Sequence, residues 1–263
     1  MKLFRFNLLI ALALTLVSCE DLIDIDLNKA NPKIVIEADL NNLSSDQVIW
    51  LSETVDFDSP VASQPVIGAA VVVKDSQGRE FIFEDQGDGA YRRKNFKPKE
   101  ELTYHLTVDV KGQVFLSSTK MTSFVSIDSL AIKEETIFND IYYSVVLKFE
   151  DTKDVPNYYK YDISVNGSSF KFASSFSDKF NDGLYVSHNI ADRDNSLALG
   201  DSVIVRRQCV AKEVYTYWNQ VQMLNPGSAA PANPTSNISN GALGFFSVSS
   251  AKDYGVKIVQ ITD

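Results

Sequence analysis

Apolar and polar residues alternate along much of the chain after residue 33. A period of two is typical of β-strands that bury one face, because successive side chains point to opposite sides of a sheet. The alternation is clearest at 34–40, 103–110 and 141–149, and tight-turn residues follow such segments at Asp75-Ser76-Gln77-Gly78 and Asn166-Gly167. The pattern predicts a mainly β protein.

The strands fall into two groups. Residues 33–124 contain about seven short strands with regular turns, which predicts an N-terminal β-sandwich of the immunoglobulin or transthyretin-like type. Residues 125–263 are predicted to form a second β-rich domain. Its further strands are expected at 159–165, 203–211 and 256–261.

One helix interrupts the second group. The helical spacing of Val214, Tyr217, Trp218, Val221 and Leu224 predicts a helix near 213–224. Asn225-Pro226 ends it, and a loop rich in Pro and Asn follows over 225–243. Because its prolines restrict the backbone, we expect this loop to be ordered. We expect it to lie against the second β region, with Ile238 and Leu243 in apolar surface.

The first nineteen residues have a different pattern. Lys2 and Arg5 precede a nearly uninterrupted apolar run, which ends in Leu16-Val17-Ser18-Cys19. This layout is typical of a secretory signal peptide, and its last four residues resemble a bacterial lipobox. The run is shorter than the roughly 20 residues of a membrane-spanning helix. We therefore predict that residues 1–18 are a signal peptide and that acyl chains such as palmitate attach to Cys19.

Residues 19–32 are predicted to form an acidic tether. Glu20 and Asp21 directly follow the proposed lipidated cysteine, and they resemble the surface-export signal of Bacteroidota lipoproteins. The alternative is a solvated linker whose apolar residues dock on the body. Outer-membrane lipid is thus an expected partner, through Cys19. We expect the body to face the cell exterior, and the alternative is a position that faces the periplasm.

Charge and cysteine content limit the ligands and the disulfide bonds that we expect. The formal net charge is −9, which disfavours binding to nucleic acid. The basic stretch 92–99 contains a proline and precedes Glu100-Glu101, so we interpret it as a solvated loop. With Cys19 acylated, Cys209 has no partner for a disulfide, and its apolar neighbours favour a buried, inert thiol.

Candidate chemistry is sparse. His105 belongs to a polar strand face, whereas His188 is close in sequence to Asp182 and Asp194, an arrangement that matches no fixed metal-site spacing. The acidic loops 178–183 and 85–89 could bind calcium, but neither has the spacing of an EF-hand. Asp-Gly and Asn-Gly residues commonly form turns, so we interpret both loops as turns. No catalytic motif is recognisable. We predict no catalytic residue, no metal site and no cofactor.

Two serines are candidates for modification. Asp128-Ser129-Leu130 and Asp201-Ser202-Val203 resemble the O-glycosylation acceptor of Bacteroidota proteins. The alternative is that both tripeptides simply begin strands. Among the aromatic residues, Trp218 is expected in a core because of its helical phase, whereas Tyr142 and Tyr158 are left open between core and ligand contact.

Several blocks, in order along the chain, resemble one Bacteroidota lipoprotein family, catalogued as domain of unknown function 4249. The blocks are Cys19 to Leu27, Lys33 to Ala38, Pro65 to Val71, Ile127 to Leu130, Asp178 to Gly183 and Asn233 to Phe246. The resemblance implies an outer-membrane lipoprotein with two β-rich parts. It also implies a protein like the accessory lipoproteins that are encoded beside TonB-dependent transporters.

We therefore expect a non-enzymatic accessory or binding module on the cell surface, partnered with a TonB-dependent transporter. Two alternatives remain at this point. The first is a structural or adhesive surface protein whose sandwiches act as spacers, since tandem β architecture does not specify function. The second, and weaker, is a hydrolase acting on surface glycans, which would need a pair of carboxylates that no spacing nominates.

Overall fold

The computed structural model describes residues 32–55, 63–224 and 233–260. Within these ranges the chain forms fifteen strands and one helix. They are β1 (Ile34–Asn41), β2 (Gln47–Glu53), β3 (Gln64–Pro65), β4 (Ala70–Asp75), β5 (Glu80–Asp85), β6 (Ala90–Arg93), β7 (Thr103–Val110), β8 (Gln113–Lys120), β9 (Ser129–Ile137), β10 (Asp140–Glu150), β11 (Tyr158–Val165), β12 (Lys171–Ser177), β13 (Tyr185–Ile190), β14 (Ser202–Cys209), α1 (Lys212–Met223) and β15 (Leu243–Lys257). The predicted mainly β class is confirmed.

The N-terminal strands fold over one core. They are hydrogen-bonded in the order β1-β2-β6-β5-β4-β7-β8, and β5 joins the two halves because it pairs with both β6 and β4. Alternate residues of β1 and β7 point inward, as the period of two predicts. The buried side chains include Ile36, Leu51, Val71, Tyr91, Leu106 and Phe115.

The tight turns also follow the sequence. At the β4–β5 turn, Oδ1 of Asp75 accepts the backbone N–H groups of Gln77 and Arg79, and Gly78 has a φ of 85°. Asn166 and Gly167 turn the chain after β11 with φ values of 53° and 79°. These left-handed conformations explain the Asn and Gly residues there.

The second β region has two sheets with a core between them. One sheet has the order β12-β11-β14-β15, and the other has the order β13-β10-β9. Their shared core contains Leu147, Phe149, Tyr161, Val205 and Ile258, among others. Helix α1, within one residue of its predicted position, packs on the outer side of the first sheet, where Trp218 contacts Phe172 and Phe245.

Strand β15 connects the two regions. Residues 243–249 pair in parallel with β1, and residues 250–257 pair antiparallel with β14. The predicted last strand, 256–261, was therefore wrong in position. Residues 244–251 are buried on both faces, so small and apolar residues run continuously and no alternation marks the strand.

The loop before β15 completes the N-terminal sandwich. Ile238 is buried in the first core, as are Ala242 and Phe246. The backbone N–H of Ser239 donates to the carbonyl of Leu116 over 2.8 Å, so the loop covers the edge of β8. The prediction that Ile238 is buried is confirmed, whereas Leu243 is only half-buried, as the first residue of β15. The surface was predicted wrongly, since Ile238 packs in the first region and not the second. Residues 225–232 lie outside the described ranges.

A buried polar network lies where the two regions meet. Nζ of Lys160 on β11 donates to Asp162 over 2.7 Å and to Asp39 on β1 over 3.0 Å. Gln208 on β14 donates to the same oxygen of Asp162. Burial lowers the pKa of Lys160, but Asp162 and Asp39 outweigh this effect and leave the pKa raised. The network therefore carries a charged lysine that ties β1 to β11.

Candidate functional site

Two groups of side chains lie near the two ends of strand β10, one acidic and the other apolar and exposed. At its C-terminal end, three aspartates approach one another. At its N-terminal end, exposed apolar side chains surround the β9–β10 turn. Neither group was predicted from the sequence, because each depends on which strands lie side by side.

The acidic cluster consists of Asp151, Asp178 and Asp182. Their carboxylate oxygens lie within 4.8 Å of one another. Asp151 directly follows β10, whereas the other two belong to the connection between β12 and β13. The antiparallel pairing of Glu150 with Tyr185 brings these connections together.

Hydrogen bonds hold each carboxylate of this cluster. Tyr159 donates its hydroxyl to Asp151 over 2.9 Å. The backbone N–H of Asn157 donates to Asp178 over 2.6 Å, and that of Asp154 donates to Asp182 over 2.8 Å. The last two contacts fasten the segment 178–183 to residues 154–157. The turn predicted there is confirmed, because the backbone N–H of Asn181 donates to the carbonyl of Asp178 over 2.7 Å.

The surroundings of Asp151 raise the pKa of its carboxyl group. Burial raises the pKa of Asp151, and the nearby charges of Asp178 and Asp182 raise it further, although the bonds from Tyr159 and Gly183 act in the opposite direction. Three oxygen donors in this arrangement are of the type that hard cations such as Ca²⁺ bind. The sequence alone gave only Asp178 and Asp182, since Asp151 is 27 residues earlier in the chain.

His188 lies apart from these aspartates. It is buried among aromatic rings, stacked on Phe176 with a centroid distance of 4.1 Å, and its Nδ1 lies 2.9 Å from the hydroxyl of Tyr161. Burial lowers the pKa of His188 to about 3, with a further contribution from the charge of Arg207. It is thus a neutral core residue. His105 is exposed, as predicted.

Arg207 supplies positive charge to the same core. It is completely buried, and its guanidinium lies 3.8 Å above the ring of Phe149 and 4.4 Å from that of Tyr159. Its three guanidinium nitrogens have no hydrogen-bond partner among the described residues. Aromatic faces therefore provide its main stabilising contacts.

Cys209 matches the prediction of a buried thiol. It is 2% exposed, and burial raises its pKa although Arg207 lowers it. Its Sγ accepts the backbone N–H of Val125. A protonated, enclosed thiol of this kind is unreactive.

The structure describes the two proposed glycosylation sites but not the proposed anchor and export signal. Cys19, Glu20 and Asp21 lie outside the described ranges, so their roles stay predictions. Ser129 and Ser202 are exposed, and each is the first residue of its strand, β9 and β14 respectively. The strand-beginning interpretation is confirmed for both, and their exposure leaves both hydroxyls accessible to a modifying enzyme.

The surface grooves formed by the described residues include one in each β region. The first, of about 320 Å³, lies beside the β9–β10 turn and is lined by Glu135, Tyr142, Tyr143, Ser144 and residues 191–197. The second, more open and of about 610 Å³, lies between β7, β8 and the loop 236–239. Tyr142 is thus exposed beside a groove, whereas Tyr158 packs against Tyr215 with a centroid distance of 5.2 Å.

Comparison with models of known protein families gives a match over most of the chain. The family model described as Domain of unknown function (DUF4249) matches residues 20–254. The chain belongs to this family. The match covers both β regions and the acidic segment before them, in agreement with the resemblance seen in the sequence. No curated protein matches the chain. Within the described residues, no helix has both the length and the apolar character required to cross a membrane.

Proposed function

We propose that this member of the DUF4249 family is an outer-membrane lipoprotein on the cell surface, where it acts as a non-enzymatic accessory of a TonB-dependent transporter. The observation that carries the proposal is the sequence Leu16-Val17-Ser18-Cys19 directly before acidic residues. A cysteine in that position provides the anchor, because several acyl chains on one residue hold a protein on a bilayer far better than one.

The described body suits a binding role at the end of such a tether. Its two regions share β15 and the Lys160 network, so the chain presents its exposed loops from a continuous scaffold. Large apolar side chains are exposed at the N-terminal end of β10, among them Phe138 and Ile141. Exposed apolar groups of this size favour contact with a partner.

Lipidation can be tested by mass spectrometry of the mature N-terminus. We expect cleavage before Cys19 and acyl chains on that residue, both lost in Cys19→Ala, which should release the protein from the membrane fraction. Cys209→Ala is the matched control, since it removes the other cysteine and should leave the anchor intact. An unmodified Cys19, or a mature chain that begins elsewhere, would refute the proposal.

Surface export can be tested by proteolysis of intact cells. In Glu20→Ala/Asp21→Ala we expect normal acylation but less protein accessible to external protease. Asp24→Ala/Asp26→Ala removes the same charge farther from the cysteine and serves as the control. Equal accessibility in the wild type and the first variant would place the export signal elsewhere.

The transporter can be sought by mild detergent extraction and crosslinking of native outer membranes. Recovery of a TonB-dependent transporter, encoded beside this gene, with the wild-type lipoprotein is the expected result. If repeated extraction recovers no transporter, the accessory role is wrong. Recovery of fimbrial or adhesin subunits would instead support the structural alternative.

A further inference from the structure

The β9–β10 hairpin ends in an unusual turn. Ile137 pairs with Asp140, so only Phe138 and Asn139 connect the strands, and their φ values are 57° and 111°. Two-residue turns with positive φ at both positions favour Asn and Gly. A phenylalanine there costs about 1–2 kcal/mol relative to a residue that tolerates the left-handed region.

Two other turns of the same chain contain glycine at the second position. The turn after β11 has Asn166-Gly167, with a favoured residue at both positions, and the β7–β8 turn has Lys111-Gly112, where Lys111 also has a positive φ of 52°. The β9–β10 turn has no glycine. The local conformation therefore does not account for Phe138, and packing does not account for it either, because 94% of its surface is exposed.

The apolar surface continues from Phe138 onto both faces of the hairpin. Residues that are paired directly across two strands lie on the same face, so Ile137 shares a face with Asp140 and Tyr142, and Ile141 lies on the other. Exposure is 49% for Ile137, 51% for Ile141 and 40% for Tyr142. These four apolar residues, 137, 138, 141 and 142, form what we term the fingertip.

Acidic residues surround the fingertip. Glu134 and Asp140 are exposed beside it, and Glu135 forms an ion pair with Lys133 over 2.7 Å. Asp192 and Asp194 line the adjacent groove, and both form ion pairs with Lys171. Arg193 also lines this groove. These five carboxylates still outnumber the three cations Lys133, Lys171 and Arg193, so the collar around the fingertip has a net negative charge.

We propose that the fingertip docks in an apolar pocket with a basic rim on a partner protein, with Phe138 as the central anchor. The negative charge around the fingertip favours a protein partner with a basic rim. Anionic lipid headgroups would be repelled by this charge, whereas lysine and arginine side chains would be attracted to it. Buried aromatic anchors commonly dominate the affinity of such contacts. The partner's identity rests on the proposed function: it is the TonB-dependent transporter.

The test uses the full, lipidated chain and the purified TonB-dependent transporter that is recovered with it from native outer membranes. Phe138→Asn should weaken binding at least about tenfold. It should also leave the thermal midpoint unchanged or raise it, because asparagine tolerates positive φ. Phe180→Asn, which removes an exposed aromatic ring in the connection between β12 and β13, should bind like the wild type. Asp140→Lys should weaken binding and reduce its salt dependence.

Photo-crosslinking from position 138 should reach the same transporter that co-purifies with the wild type. If Phe138→Asn binds as tightly as the wild type, the fingertip is wrong and the accessory role stands. If the wild type binds no transporter, both are wrong. Phe138-dependent binding to protein-free phosphatidylglycerol vesicles, or a crosslink only to a second copy of the chain, would also overturn the docking proposal.

Discussion

The hydroxyl of Tyr161 and Nδ1 of His188 lie 2.9 Å apart inside the core of the second β region. Neither group reaches solvent to a useful extent, since His188 is 4% exposed and Tyr161 is fully buried. The pair joins β11 of one sheet to β13 of the facing sheet. It requires an uncharged imidazole, because a buried cation beside Arg207 would be strongly unfavourable.

This arrangement predicts acid sensitivity. The unfolded chain protonates His188 near its ordinary pKa of 6.5, whereas the folded-state pKa is about 3. The stability from neutral His188 is therefore present above pH 6.5 and is lost as the pH falls from 6.5 toward 3. Its contribution to the free energy of unfolding should be about 2 kcal/mol smaller at pH 5 than at pH 7.

Urea unfolding at both pH values measures this effect. Asp151 has a raised pKa and so contributes in the opposite direction, losing stability as the pH rises through its folded-state value. The informative quantity is thus the difference between the wild type and His188→Phe, which removes the titrating group. His105→Gln, at an exposed position, is the control. Equal pH dependence in the wild type and His188→Phe would contradict the assignment.

Lys160→Met should destabilise the protein by about 3–5 kcal/mol, because it leaves Asp162 and Asp39 without their cation at the junction of the two regions. Lys74→Met provides the comparison. Lys74 pairs with Glu80 at the surface, where such a pair contributes about 0–1 kcal/mol. Chemical denaturation of both variants measures the difference, and similar losses would show that the buried network is unimportant.

Gly244→Ala should disrupt the parallel pairing of β15 with β1. Gly244 has a φ of 87°, and a Cβ atom there would overlap the carbonyl group of Ile36. Gly112 has a similar φ of 90° but open space around it. We expect a loss of about 1–2 kcal/mol for Gly112→Ala from the backbone alone, and at least about 3 kcal/mol for Gly244→Ala. Equal thermal shifts would argue against the close contact.

Asn237→Ala should loosen the segment that covers β8. Its side chain accepts the N–H of Phe246 over 2.9 Å and donates to the carbonyl of the same residue over 2.8 Å. Loss of both bonds should cost about 2 kcal/mol. In hydrogen exchange, the amides of Ser239 and Phe246 should lose protection. Free-peptide exchange rates at these amides in the wild type would contradict the structure.

Glycosylation of Ser129 and Ser202 remains a prediction from the sequence. Both residues are exposed at the start of a strand. If the acceptor motif is used, the intact mass of protein from its native host should exceed that of the polypeptide with its acyl chains. Part of the excess should disappear in Ser129→Ala or Ser202→Ala. A native mass without sugar in the wild type would exclude modification at both positions.

The sequence by itself determined the local features of this protein. Alternation located β1, β7 and β10 because each buries one face, and Asp75 to Gly78 and Asn166-Gly167 specified turns through their own side chains and backbone freedom. The spacing around Val214 and Trp218 located α1 within one residue. Family membership was also predictable, since it depends on short blocks of residues in order.

Tertiary structure decided the features that depend on distant neighbours. Residues 243–251 gave no alternating signal, because β1 and β14 pair with β15 and both of its faces are buried. Ile238 reached the first core through contacts with β8, more than 100 residues earlier. Asp151 joined Asp178 and Asp182 only because β10 pairs with β13. Phe138 could be read as unusual only after the turn conformation and its exposure were known, because neither burial nor φ is encoded in the identity of one residue.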